Sequence, residues 1–202
     1  MQYVNFGASG VKVSRLALGL GFRGQPHEGE AQRVVEAALD AGINLIDCAN
    51  VYGPMDDRAS IGRSEVVLGK ALKGRRDDVV ITSKVASEIG PAPNDIGLSR
   101  YHIMREVERS LTRLQTDRID VYLVHLYDDE TPLEETLRAL NNLVDSGKVR
   151  YYGVCNFAAW QITKAQGIAE RAGLHPPITA QNPYSLMNRN LETELFPMAR
   201  DS

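Results

Sequence analysis

Five short apolar runs in this chain each finish on a polar or charged side chain, and that pattern constrains the fold more than any other feature. Ile43, Leu45 and Ile46 precede Asp47, and residues 79–82 lead to Lys84. Residues 119–124 lead to His125, residues 149–154 end near Asn156, and residues 178–180 end at Gln181. Short continuous apolar runs of this kind read as strands buried on both faces, as in parallel sheets. A carboxylate at the end of a buried strand is costly unless a partner meets it. Parallel strands would gather these five ends on one face, where each could partner another.

Helical periods separate the runs. Val34, Val35, Ala38 and Leu39 fit one face of a helix over residues 30–39, with Gly42 placed to stop it. Val66, Leu68 and Leu72 mark a second helix over 61–73. Residues 87–98, rich in Gly, Pro and Asn, read as a loop. Ser99 can cap a helix carrying Ile103, Val107, Leu111 and Leu114. Thr131-Pro132-Leu133-Glu134 reads as a capping box with proline at the first helical position. Leu133, Leu137, Leu140 and Val144 form that helix's buried stripe, which Gly147 ends. Further helices are expected over 158–171 and from about Asn190 onward. Residues 1–13 read as a hairpin turning at Gly7-Ala8-Ser9-Gly10. Residues 16–18 read as a first core strand, and the Gly19-Leu20-Gly21-Phe22 that follows as a tight turn rather than a phosphate loop. His27, His102 and His175 read as surface residues, Trp160 as a core residue on a helix face, and Tyr127, Asp128 and Asp129 as a solvated acidic loop.

Strand and helix alternate throughout, which implies a parallel sheet with crossover helices. No linker divides residues 1–202, so one domain is expected. The glycine fingerprint of a dinucleotide-binding doubly wound sheet is missing after the first strand. A (β/α) barrel of the TIM type fits better, because its working groups come from the C-terminal ends of several strands. The net charge of −3 comes with no basic stripe, which argues against nucleic acid or an anionic membrane surface as partner. The two cysteines, Cys48 and Cys155, have no metal-ligand spacing, so no metal is expected. With no leader and no apolar run of spanning length, a reduced, cytoplasmic protein is the simplest expectation.

Taken singly, the strand-end residues have ordinary explanations. Asp47 could cap the next segment, Lys84 could be a solvated lysine, and His125 a satisfied core histidine. Tyr52 could pack on a helix, and Asn156 could be an N-cap. Together they suit one chemistry. A tyrosine with a pKa of about 10 is a poor acid at neutral pH, and a nearby ammonium would favour its phenolate. An aspartate would keep that ammonium charged and placed. A neutral imidazole could hydrogen-bond a carbonyl oxygen. Asp47, Tyr52, Lys84 and His125 would then form an electrophilic pocket for C=O, with Tyr52 giving the proton. No side chain supplies a hydride, so a nicotinamide is implied. Asn156 and Gln181 each offer an amide to its carboxamide.

These residues lie in segments that resemble the aldo-keto reductase family. The matching pieces are Asp47 and Tyr52 in LIDCANVYG, Lys84 in ITSKV, His125 in YLVH, Asn156 in GVCNF and Gln181 in AQNPYS. FGASGVKVSRLALG and SGKVRYYGVCNF also match. The resemblance implies NADP(H)-dependent reduction of aldehydes or ketones, with Asp47, Tyr52, Lys84 and His125 as the catalytic tetrad. Asp47, Cys155, Asn156 and Gln181 would contact the cofactor. Tyr52, His125 and Phe22 would meet the carbonyl substrate, and the hairpin would plug the barrel floor. The chain matches about six of the family's eight β/α units. The expectation is therefore of open edges at the first and sixth barrel strands, met by self-association or by a completing polypeptide. The alternative is a catalytically impaired, reductase-like fragment or interaction subunit that needs a partner or the family's remaining C-terminal units.

Overall fold

The computed structural model describes residues 1–21, 27–53 and 58–201. An antiparallel hairpin opens the chain, with β1 (Tyr3–Asn5) paired to β2 (Lys12–Ser14). Six parallel strands follow in the order of the chain: β3 (Ala17–Gly19), β4 (Leu45–Asp47), β5 (Val80–Val85), β6 (Ile119–Val124), β7 (Val149–Cys155) and β8 (Ala180–Gln181). Helices connect them: α1 (Glu28–Asp40), α2 (Arg63–Ala71), α3 (Arg100–Leu114), α4 (Leu133–Asp145) and α5 (Ala159–Ala172), with α6 (Leu195–Asp201) after β8. Neighbouring helices from α1 to α5 pack on one another along the outside. The result is a curled parallel sheet with helices on its convex side and the hairpin at one end, the expected partial (β/α) barrel.

Two apolar layers hold it. The larger lies between sheet and helices, where Val35, Leu68, Val107, Leu140 and Ala165 meet Ile46, Ile81, Tyr122 and Tyr152. The smaller lies inside the curl, where Val121, Leu123 and Cys155 meet Val80, Tyr151 and Phe6 of the hairpin. The central strands are buried on both faces for this reason, and their sequences carry few exposed polar positions. The hairpin is tied to both sides of the sheet. Asn44, just before β4, accepts from the Ser14 amide at 2.7 Å, and the Ala8 amide donates to the Ile178 carbonyl at 3.0 Å. A Cβ at Gly7 would lie 1.9 Å from that same carbonyl oxygen, so only glycine allows the approach.

Helix ends explain several departures from the sequence reading. Ser99 caps α3 as expected, its hydroxyl accepting from the His102 amide at 3.2 Å. The capping box at α4 does not form: the helix starts at Leu133 with Pro132 in the cap position, and the Thr131 hydroxyl donates to Asp128 instead at 2.7 Å. Asn156 is not the cap of α5, which begins after Ala158, where Gln161 folds back to accept from the Ala158 amide at 2.8 Å. The first barrel strand is not a core strand. It has one partner, β4, and Leu16 beside it is 60 % exposed. His102 is fully buried, its Nδ1 facing the Asn94 carbonyl at 2.8 Å. Trp160 is 57 % exposed, resting edge-on against Tyr127. Asp128 does structural work, accepting from the Leu98 amide at 2.7 Å and from the Thr131 hydroxyl.

The α2 helix packs closely against the end of α3. A Cβ at Gly69 would come within 2.7 Å of the Leu114 carbonyl. Backbone atoms there cannot swing aside. Gly69→Ala is therefore expected to destabilise the fold by about 1–3 kcal/mol, read as a lower urea midpoint. An unchanged midpoint would mean that α2 and α3 separate freely.

Candidate active site

The strand ends meet at the carboxyl edge of the sheet. Asp47 closes β4 in register with Thr82 of β5. Thr82 and Lys84 lie two apart on β5 and so point the same way, into the curl. Ser83 points outward and donates to Glu65 of α2. Lys84 is 1 % exposed and spans both carboxylate oxygens of Asp47 at 2.6 Å, with a third bond to the Cys48 carbonyl at 3.0 Å. Thr82 adds a hydroxyl bond to Asp47 at 2.5 Å, and Gln181 reaches it from β8 at 3.3 Å. The Lys84 ammonium sits 4.7 Å from the centre of the Tyr52 ring, within cation–π range. The Tyr52 hydroxyl lies 3.5 Å from His125 Nε2, and the two rings meet edge to face. Four residues spread over 79 positions of sequence thus form one contiguous cluster.

Environment fixes the protonation states. Burial is the largest single influence and would depress Lys84, but Asp47, with smaller help from Tyr52 and Cys48, outweighs it and holds the ammonium above the ordinary lysine range. Burial pushes the Tyr52 phenol up, and the charge of Lys84 pulls against it without cancelling it. The sequence argument had the ammonium dominate. In the free protein desolvation dominates, and the phenol keeps its proton firmly at neutral pH. Burial, with the charge of Lys84 second, lowers His125 to about 4, so the imidazole is neutral, as expected. Burial also pushes the Cys155 thiol up to about 12.

The His125 shift makes a pH prediction. Unfolded, the imidazole titrates at about 6.5; folded, it resists the proton down to about 4. Between those values the unfolded chain binds more protons, so stability falls as pH drops through that window and is fully present above it. His125→Gln should remove part of this slope, measured as urea midpoints at about pH 7 and about pH 4.5. An identical pH slope in the variant would contradict a neutral, buried His125.

The amide residues expected at a cofactor occupy the same edge. The Cys155 thiol donates to Gln181 Oε1 at 3.3 Å, and the Asn156 side chain donates to the His125 carbonyl at 2.9 Å. Asn156 adopts a left-handed φ of 58°, which turns it out of the strand line, and both amides are exposed. Paired amide donors and acceptors beside a buried ion pair fit a carboxamide, so the donor set fits a nicotinamide. Phe22 lies outside the described residues. Two contributors escaped the sequence reading. Thr82 was legible in principle, since strand alternation puts it on the face of Lys84. Ser87, whose hydroxyl lies 3.3 Å from His125 Nδ1, was not, because Ala86 between them has a φ of 138° that breaks the alternation.

Comparison with known proteins is consistent with this geometry. The family model described as "Aldo/keto reductase family" matches residues 15–202. An uncharacterized oxidoreductase of Bacillus subtilis (strain 168) is 43 % identical over 209 aligned positions, covering 100 % of this chain and 63 % of that protein. A probable voltage-gated potassium channel subunit beta of Arabidopsis thaliana is 41 % identical, covering 98 % of this chain and 60 % of that one. Versiconal hemiacetal acetate reductase of Aspergillus parasiticus is 39 % identical, covering 100 % and 64 %. The chain spans about three-fifths of the length of the curated relatives it matches.

Proposed function

The chain belongs to the aldo/keto reductase family, and on that premise we propose that it carries the proton-handling half of an NADP(H)-dependent reduction of aldehydes or ketones to alcohols. The observation that carries the reading is the buried Asp47–Lys84 pair seated against the Tyr52 ring, with the phenol at His125. Tyr52 is the proton donor. His125, neutral, orients the substrate carbonyl oxygen. Lys84 stabilises the charge that develops on the phenol oxygen as its proton leaves, and Asp47 keeps Lys84 charged and fixed. Burial raises the phenol's pKa in the free protein, so this stabilisation is concentrated in the transition state, where it accelerates the reaction. Cys155, Asn156, Gln181 and Asp47 hold the nicotinamide end of the cofactor, and a reduced nicotinamide supplies the hydride when bound. Cys48 and Cys155 are buried free thiols, which suits a reducing, cytoplasmic setting.

Titration with NADPH, followed by nicotinamide fluorescence and then by aldehyde-dependent loss of that signal, tests the reading. Binding followed by consumption is expected. Absence of both in a folded sample would remove it.

A second reading is a partner-binding subunit. It is favoured by the 41 % identity to a protein named as a probable channel subunit and by Leu186 and Met187, which are 88 % and 95 % exposed. Light scattering separates the two: a monodisperse monomer that turns over NADPH favours the enzyme, whereas assembly without turnover favours the subunit.

A further inference from the structure

The tetrad accounts for Nε2 of His125 but says nothing of its other nitrogen. Nδ1 faces the Ser87 hydroxyl at 3.3 Å. The contact is long for a hydrogen bond, as catalytic contacts often are before substrate tightens the site. Its origin is specific. Ser87 would point away from Lys84 in a regular strand, but Ala86, at φ 138°, rotates the chain there. That conformation strains any residue with a Cβ and is held only where surrounding structure fixes it. Here the Ala86 carbonyl accepts from the Gly97 amide at 2.8 Å, and the neighbouring Val85 carbonyl accepts from the His125 amide at 2.8 Å. Both sides of the bend are pinned, and the bend brings Ser87 to the imidazole.

We propose that Ser87 is a positioning residue, donating its hydroxyl hydrogen to His125 Nδ1 and so keeping the ring's single proton on Nε2. This rests on the reading of Tyr52 as proton donor and deepens it. A neutral imidazole has one N–H and one bare lone pair. If Nε2 were bare, it would capture the Tyr52 hydrogen, and the phenol could not offer that hydrogen to a carbonyl. With Nε2 protonated, the imidazole donates toward the phenol or substrate oxygen, and the phenol's hydrogen stays free. Lys84 does not settle the matter, because its ammonium only donates, to Asp47, to Cys48 and toward the phenol oxygen, which leaves open the imidazole nitrogen that carries the proton. The low proton affinity of His125 means that one neutral tautomer or the other is present throughout the neutral pH range.

The test is long-range proton–nitrogen NMR on protein labelled with 15N-histidine. There are four histidines, and loss of one signal in His125→Gln assigns the fourth. The expected result is an Nε2–H tautomer in the unaltered protein, a shift toward Nδ1–H in Ser87→Ala, and retention of Nε2–H in Ser87→Thr. Ser87→Ala should also lower kcat on the order of tenfold or more, with KM little changed, and Ser87→Thr should restore it. An Nδ1–H tautomer in the unaltered protein overturns the proposal whether or not Ser87→Ala folds, and so does an unmoved tautomer in Ser87→Ala. Either result with NADPH turnover intact sinks Ser87's role alone. The expected tautomer without turnover sinks the reductase reading alone.

Discussion

Tyr52→Phe is expected to lower carbonyl reduction by about 10²–10⁴-fold, the range for loss of a positioned proton donor, while NADPH affinity stays within a few-fold. The substitution removes one oxygen and keeps the ring that lies against the Lys84 ammonium, so the Asp47–Lys84 pair keeps its geometry. The free protein also predicts a pH signature. Because desolvation holds the phenol's pKa up, the reductive rate should not fall on the alkaline side until well above neutrality. In the reverse direction the Tyr52 phenolate would accept the alcohol's proton, so alcohol oxidation should gain as pH rises toward the phenol's pKa. Retained reduction in Tyr52→Phe would move the donor role elsewhere. A rate that falls between pH 7 and 8 would show that Lys84 outweighs burial once substrate is bound.

Arg113→Leu should cost about 3–5 kcal/mol of stability, the scale for stranding one partner of a buried ion pair. Glu65 of α2 is fully buried, and Arg113 of α3 meets it at 2.6 Å. Ser83 supplies one further hydrogen bond to the carboxylate, which cannot replace a cation. The double variant Glu65→Leu with Arg113→Leu should recover much of the loss, because it removes the buried charge rather than orphaning it. Urea denaturation of the two variants and of the unaltered protein measures this cycle. A single variant as stable as the parent would mean that the ion pair contributes nothing to the fold.

The residues most plainly legible from the sequence are those where one physical rule acts alone. Asp47, Lys84, His125 and Gln181 stand out because each interrupts or ends a run that is otherwise apolar, and a buried strand has no cheap place for such a group. The central strands β5, β6 and β7 were readable for the same reason. The edge strands β3 and β8 were legible as strands too, but not their exposure: both are short and largely exposed, which an apolar run does not announce. His102 misled because helical spacing places it with Glu106 and Ser110, polar residues that pattern reasoning sends to solvent. All three are buried, facing a polar layer in which Asn50 donates to Glu106 at 3.3 Å. No periodicity argument finds a buried polar stripe, since its partners come from other elements. Ser87 was hidden by a backbone angle, which composition does not encode.

The tie from Asp47 to Gln181 joins residues 134 apart, and the hairpin's bond from Ala8 reaches Ile178. Both contacts join residues far apart in the sequence, and a pairing so distant is slow to find because the intervening loop must first be ordered. During synthesis the hairpin can dock on Asn44 early, but its second tie waits until Ile178 has left the ribosome. Chains halted before that point should hold the Lys84–Asp47 pair yet leave the hairpin turn at Gly7 undocked, and limited proteolysis would find it there first.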